Sequence, residues 1–261
     1  RYYAQSQPSQ RAGTDPLYLT QWYLKNTGRL TGYSGLAAGE DLQVENVWAS
    51  GLRGENIRVA VVDDALEVTH QDLAPNVVEG ASYNYVSDGS WQRGSPWPLP
   101  CTSSQTHGTA VGGVVAARDS NGLGGRGVAP RASLVGYNAL ANDQDSEVLD
   151  ALVRDQGKNH IYNNSWGAED DGHFNTPASR SAQVGPILNG LRNGRNGLGS
   201  IYTFAGGNGG ANGDYSVLDG NVSMLGASPV CGTNAAGRRA PYSEPGPNLI
   251  VCAPSSDMGQ A

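Results

Sequence analysis

Cysteine, methionine and phenylalanine are scarce in this sequence of 261 residues. It contains three cysteines, two methionines and two phenylalanines. The cysteines, at positions 101, 231 and 252, show no C-x-x-C spacing, which argues against a zinc site. Because their number is odd, they can form at most one disulfide bond among themselves. A disulfide bond between Cys231 and Cys252 across adjoining strands is one alternative, and the sequence does not decide whether it forms.

Long apolar runs and blocks of basic residues are also missing. No stretch approaches the roughly 20 apolar residues that span a bilayer. The chain has 17 lysines and arginines against 24 aspartates and glutamates, which gives a net charge of −7. Nucleic acid is therefore not an expected partner, and neither is a membrane. A cationic ligand matches this charge better, although solubility alone also accounts for it.

The first 14 residues are polar and lack the apolar core of a signal peptide. We expect them to form a flexible lead before an ordered domain that covers residues 15–261. That length is enough for one sizeable core. An export signal would already have been removed, and the composition suits a secreted, extracellular protein.

Glycine is abundant, with 37 residues, and together with 14 prolines it indicates many tight turns. Short apolar runs predict strands at 57–62, 132–140, 160–165, 199–207, 221–228 and 248–254. Helical spacing predicts helices over 146–157, with Ser146 as the cap, and over 185–197. Alternating strands and helices of this length predict an α/β fold with a mostly parallel central sheet and helices on both faces.

Four motifs place polar or small residues at the ends of predicted strands or at the start of a helix: "VVDDA", "THGTAVGGVVAA", "NNSWG" and "FAGGNGG". In open α/β sheets this edge binds ligands. His107 precedes a run of small residues that predicts a helix, and the dipole at a helix N-terminus favours a neutral imidazole, which suits a general base. His107 alone is more readily structural. Combined with a strand-end Asp63 some 40 residues earlier and a glycine-flanked Asn208 about 100 later, it indicates a catalytic site.

The order of the motifs resembles that of the subtilisin-like serine proteases, most closely their kexin and furin (proprotein convertase) branch. The motifs are "DD" after an apolar strand, "HGT", "SWGAEDDG", "GLGSIYTFAGGNGG" and "YSE", and the resemblance covers the chain from residue 15 onwards. It implies a subtilisin-like three-layer α/β fold, in a secreted member of bacterial type. It also implies a serine endopeptidase that cuts after basic, paired Lys or Arg, residues through an acyl-enzyme.

The resemblance also implies roles for individual residues. Asp63 would orient His107, the general base, and the Asn208 side chain would stabilise the oxyanion. Asp64 would receive a basic P2 side chain, although a carboxylate here can also simply cap a turn. The backbone of 165–167 would pair with the substrate as an added strand. The implied substrate-binding residues are Asp64, Ser165, Trp166, Gly167, the S1 acids Asp170 and Asp219, and, more weakly for P4, Asp150.

Calcium is the cofactor that the resemblance implies, because all-oxygen ligand sets suit Ca²⁺. One site would use the side chains of Asp15, Asp72 and Asn121 and the carbonyls of Arg118, Leu123 and Gly125. A second site beneath the S1 pocket would use Asp170, Asp214 and Glu244.

The nucleophile motif of this family, G-T-S-[AM]-[AS]-x-P, does not occur in the sequence. We interpret the chain as a catalytic domain that is incomplete at its C-terminus, so that the 261 residues alone cannot form an acyl-enzyme. A second fragment, or a following segment with a P domain, would complete it. Two alternatives remain: a non-catalytic module of this fold that binds basic peptides, and a general subtilisin-type scavenger, which the acidic S1 pair disfavours. A basic peptide or protein is the expected ligand of the endopeptidase and of the non-catalytic module.

Overall fold

The computed structural model describes residues 15–29, 35–87, 91–142, 144–172 and 178–255. The predicted lead, residues 1–14, lies outside them. Short 3-10 helices cover Tyr18–Thr20, Ala74–Asn76, Gly209–Asn212 and Ser216–Leu218. The α-helices are α1 Val44–Ala49, α2 His107–Ala116, α3 Asp145–Ala151 and α4 Ala178–Gly197. The strands are β1 Arg58–Val62, β2 Ser133–Tyr137, β3 Ile161–Asn164, β4 Ile201–Ala205, β5 Ala227–Thr233 and β6 Val251–Pro254.

The six strands form one parallel sheet in the order β2-β1-β3-β4-β5-β6. Parallel strands are buried on both faces, which explains why β1 and β2 are continuous apolar runs rather than alternating ones. The predicted α/β fold with a mostly parallel sheet is confirmed.

Two apolar clusters lie on opposite faces of the sheet. Ala60 and Val62 of β1 pack with residues of α3 and α4, among them Ala151 and Ile187. The intervening Val59 and Val61 belong to the cluster that contains Ala116 of α2 and Leu134 of β2. Because successive side chains of a strand point to opposite faces, a five-residue apolar strand serves both clusters. The result is a three-layer arrangement of helix, sheet and helix.

Three local predictions are wrong. The strand expected over 221–228 begins at Ala227 instead; Val222 is buried in the core outside the sheet, and Gly226 has a φ of +95°. Ser146 lies inside α3 rather than at its cap, since the helix begins at Asp145. The backbone leaves helical geometry at 194–196, within the helix predicted over 185–197. Glycine within that segment explains the interruption.

The sheet also decides the pairing of the cysteines. Cys231 of β5 and Cys252 of β6 are direct neighbours in the parallel register, with Cα atoms 4.3 Å apart, and they form a disulfide bond. Cys101 is exposed, and its Sγ contacts Leu99 O at 3.8 Å. The bond links the last strand of the sheet to its neighbour.

The strand order brings the polar motifs to one edge. Strands β1, β3 and β4 are adjacent, so the segments that follow them, at Asp63, Ser165 and Gly206, leave the same edge of the sheet. Helix α2, which begins at His107, packs on β1 and β2. Among the described residues, none of the helices combines the length and the hydrophobicity that a membrane span requires.

Candidate active site

Asp63 and His107 form the centre of the site. The Nδ1 atom of His107 lies 2.8 Å from Oδ1 of Asp63, so the imidazole can donate to the carboxylate. Asp63 is almost fully buried, whereas 57% of the His107 side chain is exposed. The hydrogen bond leaves Nε2 as the ring nitrogen available to solvent or to a ligand. Gly108 is required next to this pair, since a Cβ there would lie 2.7 Å from the Cβ of Asp63.

The two carboxylates at the end of β1 change the proton affinity of His107. The hydrogen bond that His107 donates to Asp63 raises the pKa of the imidazole, and the charges of Asp63 and Asp64 act in the same direction, while burial opposes them. The dipole at the helix N-terminus was expected to lower the pKa of His107. The two carboxylates act against it, and the pKa is raised instead. Burial raises the pKa of Asp63, and its contacts with His107 and with the Asp64 N–H oppose this.

Asp64 binds the start of α2. Its carboxylate accepts the backbone N–H of His107 at 3.1 Å and that of Gly108 at 2.8 Å. These N–H groups have no partner within the helix, so a carboxylate at this position stabilises both the helix end and its dipole. Asp64 therefore caps a helix from a distance in sequence. Its side chain is partly exposed, and its contact with a P2 side chain stays a prediction.

The segment 165–167 follows β3 and pairs with no strand in the described part of the chain. Trp166 donates from Nε1 to Val62 O at 3.0 Å and packs edge-on against Phe204, 5.6 Å between ring centroids. Ser165 accepts a hydrogen bond from Asn163, 2.8 Å. Gly167 is exposed and makes no hydrogen bond within the described part of the chain. The Trp166 ring thus anchors the segment to β1, and the exposed backbone beside it can accept an extended peptide.

A pocket with acidic walls opens beside this segment. Its lining includes both predicted S1 acids, Asp170 and Asp219, together with Glu169 and Tyr215. Asp219 accepts the N–H groups of Ala168, 3.2 Å, and Asn221, 2.8 Å. Carboxylates that line one pocket can bind a guanidinium or ammonium group by charge-assisted hydrogen bonds.

Asn208 lies after β4, on the same edge. Its backbone N–H donates to Asp170 Oδ1 at 3.0 Å, and the residue is exposed. Its side chain makes no hydrogen bond to the described residues. A carboxamide N–H₂ group is therefore available to an oxygen atom that is bound at this edge.

Three carboxylates in the lining of this pocket lie close together. One oxygen from each of Asp170, Asp214 and Glu244 lies within 4.8 Å of the others. Burial raises the pKa of Glu244 to about 7, the carboxylates of Asp214, Asp170 and Asp219 add to this, and the Gly209 N–H opposes it. Oδ2 of Asp214 is buried and has no hydrogen-bond partner among the described residues. Hard oxygen ligands with an unsatisfied buried oxygen fit a divalent cation such as Ca²⁺.

Of the other predicted calcium ligands, the three side chains of Asp15, Asp72 and Asn121 are in contact. Asn121 donates from its backbone to Asp15, 3.2 Å, and from its side chain to Asp72, 2.7 Å. The carbonyls of Arg118, Leu123 and Gly125 accept no hydrogen bond from the described residues. These groups fit a cation site, although Arg126 forms an ion pair with Asp15 at 2.7 Å. Burial raises the pKa of Asp72.

Asp150 is bound within the protein. Its carboxylate accepts from Tyr85 OH at 2.6 Å and from Nε of Arg154 at 3.0 Å, and it forms an ion pair with the same guanidinium. Arg154 also stacks over Tyr83, 3.5 Å from the ring centroid. An internal cation therefore already neutralises this carboxylate, which weakens the case for a P4 contact.

Sequence reasoning did not identify Glu169, Tyr215 or Arg154. Glu169 lies in the "AEDDG" motif directly before Asp170, and that position is visible in the sequence. Arg154 stands four residues after Asp150, the spacing of a helical ion pair. No local pattern distinguishes Tyr215.

The chain is similar to known proteins in sequence and in fold. The model of the subtilase family matches residues 54–259. Neuroendocrine convertase 2 of Caenorhabditis elegans is 37% identical over 237 residues, which cover 88% of this chain and 34% of that protein. A dibasic-processing endoprotease of Schizosaccharomyces pombe is 37% identical over 246 residues, 93% of this chain and 32% of that protein. The chain thus spans about a third of the length of these relatives.

Among solved structures, the serine protease of Aeromonas sobria superimposes with a TM-score of 0.79 and 31% identity, covering 94% of this chain and 44% of that one. The fold resemblance is confirmed, and the relatives are convertases of the furin and kexin type. The chain belongs to the subtilase family of serine proteases.

Proposed function

We propose that this chain is the larger part of the catalytic domain of a secreted serine endopeptidase that cuts after basic, usually paired, residues. Its nucleophilic serine lies outside the 261 residues. The observation that carries the proposal is the contact between buried Asp63 and exposed His107, at the sheet edge that also bears Asn208. The S. pombe relative is a dibasic-processing enzyme, which supports the same specificity.

The proposed mechanism follows from the orientation of His107. With Nδ1 bound to Asp63, Nε2 accepts the proton of the serine as its oxygen attacks the scissile carbonyl. The carbonyl oxygen becomes negative and accepts a hydrogen bond from the Asn208 side chain. His107 then gives the proton to the leaving amine, and water hydrolyses the acyl-enzyme by the same route. Asp63 stabilises the imidazolium that forms in both steps.

Specificity is assigned to the acidic pocket and its surroundings. Asp170 and Asp219 would bind a P1 Arg or Lys, and the free edge of 165–167 would pair with the peptide backbone. Asp64 would contact a basic P2 side chain. Asp150 would contribute little at P4, because Arg154 already binds it. The resemblance to the furin branch would place another acid of the S4 subsite where this sequence has Asn175 and Thr176. Both residues lie outside the described part of the chain.

Calcium binding is part of the proposal. Asp170, Asp214 and Glu244 would hold one ion and Asp15, Asp72 and Asn121, with three carbonyls, another. The ion near the pocket would supply positive charge that compensates three converging carboxylates. No catalytic step depends on it.

Labelling with a fluorophosphonate tests the proposal directly. The reagent is applied to the source preparation, and intact mass and peptide mapping then locate the modified serine. We expect the label on a polypeptide that contains this chain, or on a co-purifying fragment, and we expect His107→Ala to abolish it. If the preparation has a mass of 27.2 kDa, contains no second fragment and takes up no label, the proposed protease function is contradicted.

A non-catalytic module that binds basic peptides is the second candidate. Its support is the pocket lined by Asp170 and Asp219, which can bind a basic peptide without a nucleophile. It predicts that a Lys-Arg peptide binds without turnover, and that Asp170→Asn and Asp219→Asn each weaken this binding.

A further inference from the structure

Glu244 contacts the backbone on both sides of Asn208. Its Oε1 accepts the N–H of Gly209 at 3.1 Å, and its own N–H donates to Gly207 O at 3.4 Å. The two hydrogen bonds bracket the single residue between them. Glu244 comes from a segment 36 positions further along the chain (244 minus 208), so this contact exists only in the folded protein.

The contact is close as well as hydrogen-bonded. A Cβ on Gly207 would lie 2.2 Å from Oε1 of Glu244, and Gly207 has a φ of +98°. Only glycine satisfies both conditions without strain. Glu244 is 5% exposed, so its carboxylate is held in place by the surrounding protein. The loop therefore rests directly on this side chain.

The Asn208 side chain needs such support. Its amide is exposed and has no hydrogen bond to the described residues, so its placement depends on the backbone that carries it. Asp170 holds the Asn208 N–H, and Glu244 holds the residues on both sides. A donor that stabilises an oxyanion is effective when it is held in place before the reaction, and sites on loops are less precise than sites on regular elements. Misplacement by about 1 Å can cost roughly 10²-fold in rate.

We propose that Glu244 is a positioning residue for the oxyanion donor Asn208, and that the hydrogen bond from Gly209 N–H to Oε1 is the link between them. The inference rests on the proposed function, since it assumes that Asn208 is that donor. It assigns Glu244 a task other than its share in the cation site.

Two variants of similar size separate these tasks. Glu244→Gln keeps the length of the side chain and an oxygen acceptor but loses the charge. Glu244→Asp keeps the charge but shortens the side chain by one methylene group, which withdraws the acceptor from Gly209. If Glu244 acts through its hydrogen bond, Glu244→Gln should be the more active variant. If it acts through its charge, Glu244→Asp should be the more active one.

The experiment measures kcat and KM of the complete, active protein on a peptide with P1 Arg, in saturating Ca²⁺. We expect Glu244→Asp to lower kcat about 10²-fold with little change in KM. Glu244→Gln should lower kcat less than Glu244→Asp does, because the acceptor for Gly209 remains in place. Hydrogen exchange of the Gly209 amide should be faster in Glu244→Asp and unchanged in Glu244→Gln. As a contrast, Asp219→Asn, which removes the charge of a proposed S1 acid, should act mainly on KM.

A double-mutant cycle completes the test. Asn208→Ala alone should lower kcat by about 10²–10³. Adding Glu244→Asp to it should then cost little, because the donor that Glu244 positions is gone. The proposal is overturned if the two effects are additive, if Glu244→Asp retains full kcat, or if Glu244→Gln loses as much kcat as Glu244→Asp. If Asn208→Ala itself has no effect, the oxyanion assignment of the proposed function fails instead.

Discussion

At the scale of single residues, two adjacent carboxylates act on the same histidine in different ways. Asp63 binds the ring nitrogen of His107, and Asp64 binds the backbone N–H of His107 and of its neighbour. One contact orients the imidazole, and the other fixes the start of the helix that carries it. Each carboxylate has its own donor, which reduces the cost of placing two like charges side by side.

Asp63→Asn should reduce kcat by about 10⁴-fold while leaving the affinity for substrate peptides nearly unchanged. The amide can still bond to His107, but it no longer favours the correct tautomer or stabilises the imidazolium. Steady-state kinetics of the complete protein measures the change. Glu79→Gln, at an exposed carboxylate outside the site, is the control and should keep wild-type kcat. Equal activity of Asp63→Asn and the wild type would show that Asp63 is not the orienting residue.

The pH dependence of kcat/KM should reflect the raised pKa of His107. The general base must be deprotonated, so the rate rises with pH through this pKa, and the acid limb should lie above the ordinary histidine value of 6.5. Asp64→Asn removes a negative charge that raises the pKa, so it should move the limb to lower pH. The profiles are measured with a peptide whose P2 residue is neutral. An acid limb at or below 6.5 in the wild type would contradict the assigned environment.

At the scale of elements, the disulfide between β5 and β6 ties the last strand to the sheet. The bond joins residues 21 positions apart. Replacing both cysteines by alanine should lower the free energy of unfolding by about 3 kcal/mol, because the unfolded chain regains the freedom of that loop. Denaturant unfolding of the variant measures this, and Cys101→Ser is a matched control with no expected change. Unfolding midpoints that coincide would exclude a stabilising role for the bond.

The sequence predicted elements where local pattern determines structure. Apolar runs located β1 to β4 and β6, and small residues after His107 predicted α2, because periodicity and burial are local properties. The β5 boundary was missed since burial of Val222 outside the sheet depends on the tertiary fold. The capping role of Asp64 was open for the same reason, as 43 residues separate its carboxylate from the His107 N–H.

The candidate site was predictable mainly as an ordered series of motifs. Asp63, His107 and Asn208 stand at strand ends or a helix start, and this position is visible in sequence. The acidic cluster is different, since Asp170 and Glu244 are 74 positions apart (244 minus 170), and only resemblance to a family connected them. The support of Asn208 by Glu244 requires distances that a sequence does not contain.

At the scale of the whole molecule, negative charge is concentrated where a cation would bind. The net charge is −7, and three carboxylates lie close together in the lining of one acidic pocket. A basic peptide and Ca²⁺ both reduce this repulsion, so the proposed substrate and the proposed cofactor follow from the same charge distribution.

Removal of calcium should lower thermal stability and activity together. An ion present at about 100 times its Kd stabilises the fold by about 2.7 kcal/mol, which chelation would remove. Differential scanning calorimetry with EDTA, followed by re-addition of Ca²⁺ or Mg²⁺, measures the effect. We expect Ca²⁺ to restore the unfolding temperature and Mg²⁺ to do so poorly, because Mg²⁺ demands stricter geometry. Asp214→Asn should reduce the response. An unfolding temperature that is insensitive to EDTA would argue against both sites.

The central claim is cleavage after basic residues by the site at the sheet edge. Its most direct test is the ratio of kcat/KM for two peptides that differ only in P1 Arg or P1 Leu, measured with the complete protein and with Asp170→Asn. The account predicts a large preference for Arg in the wild type and a much smaller one in the variant, since a cation then meets one carboxylate fewer. Equal rates for the two peptides, or cleavage after Leu alone, would contradict the account.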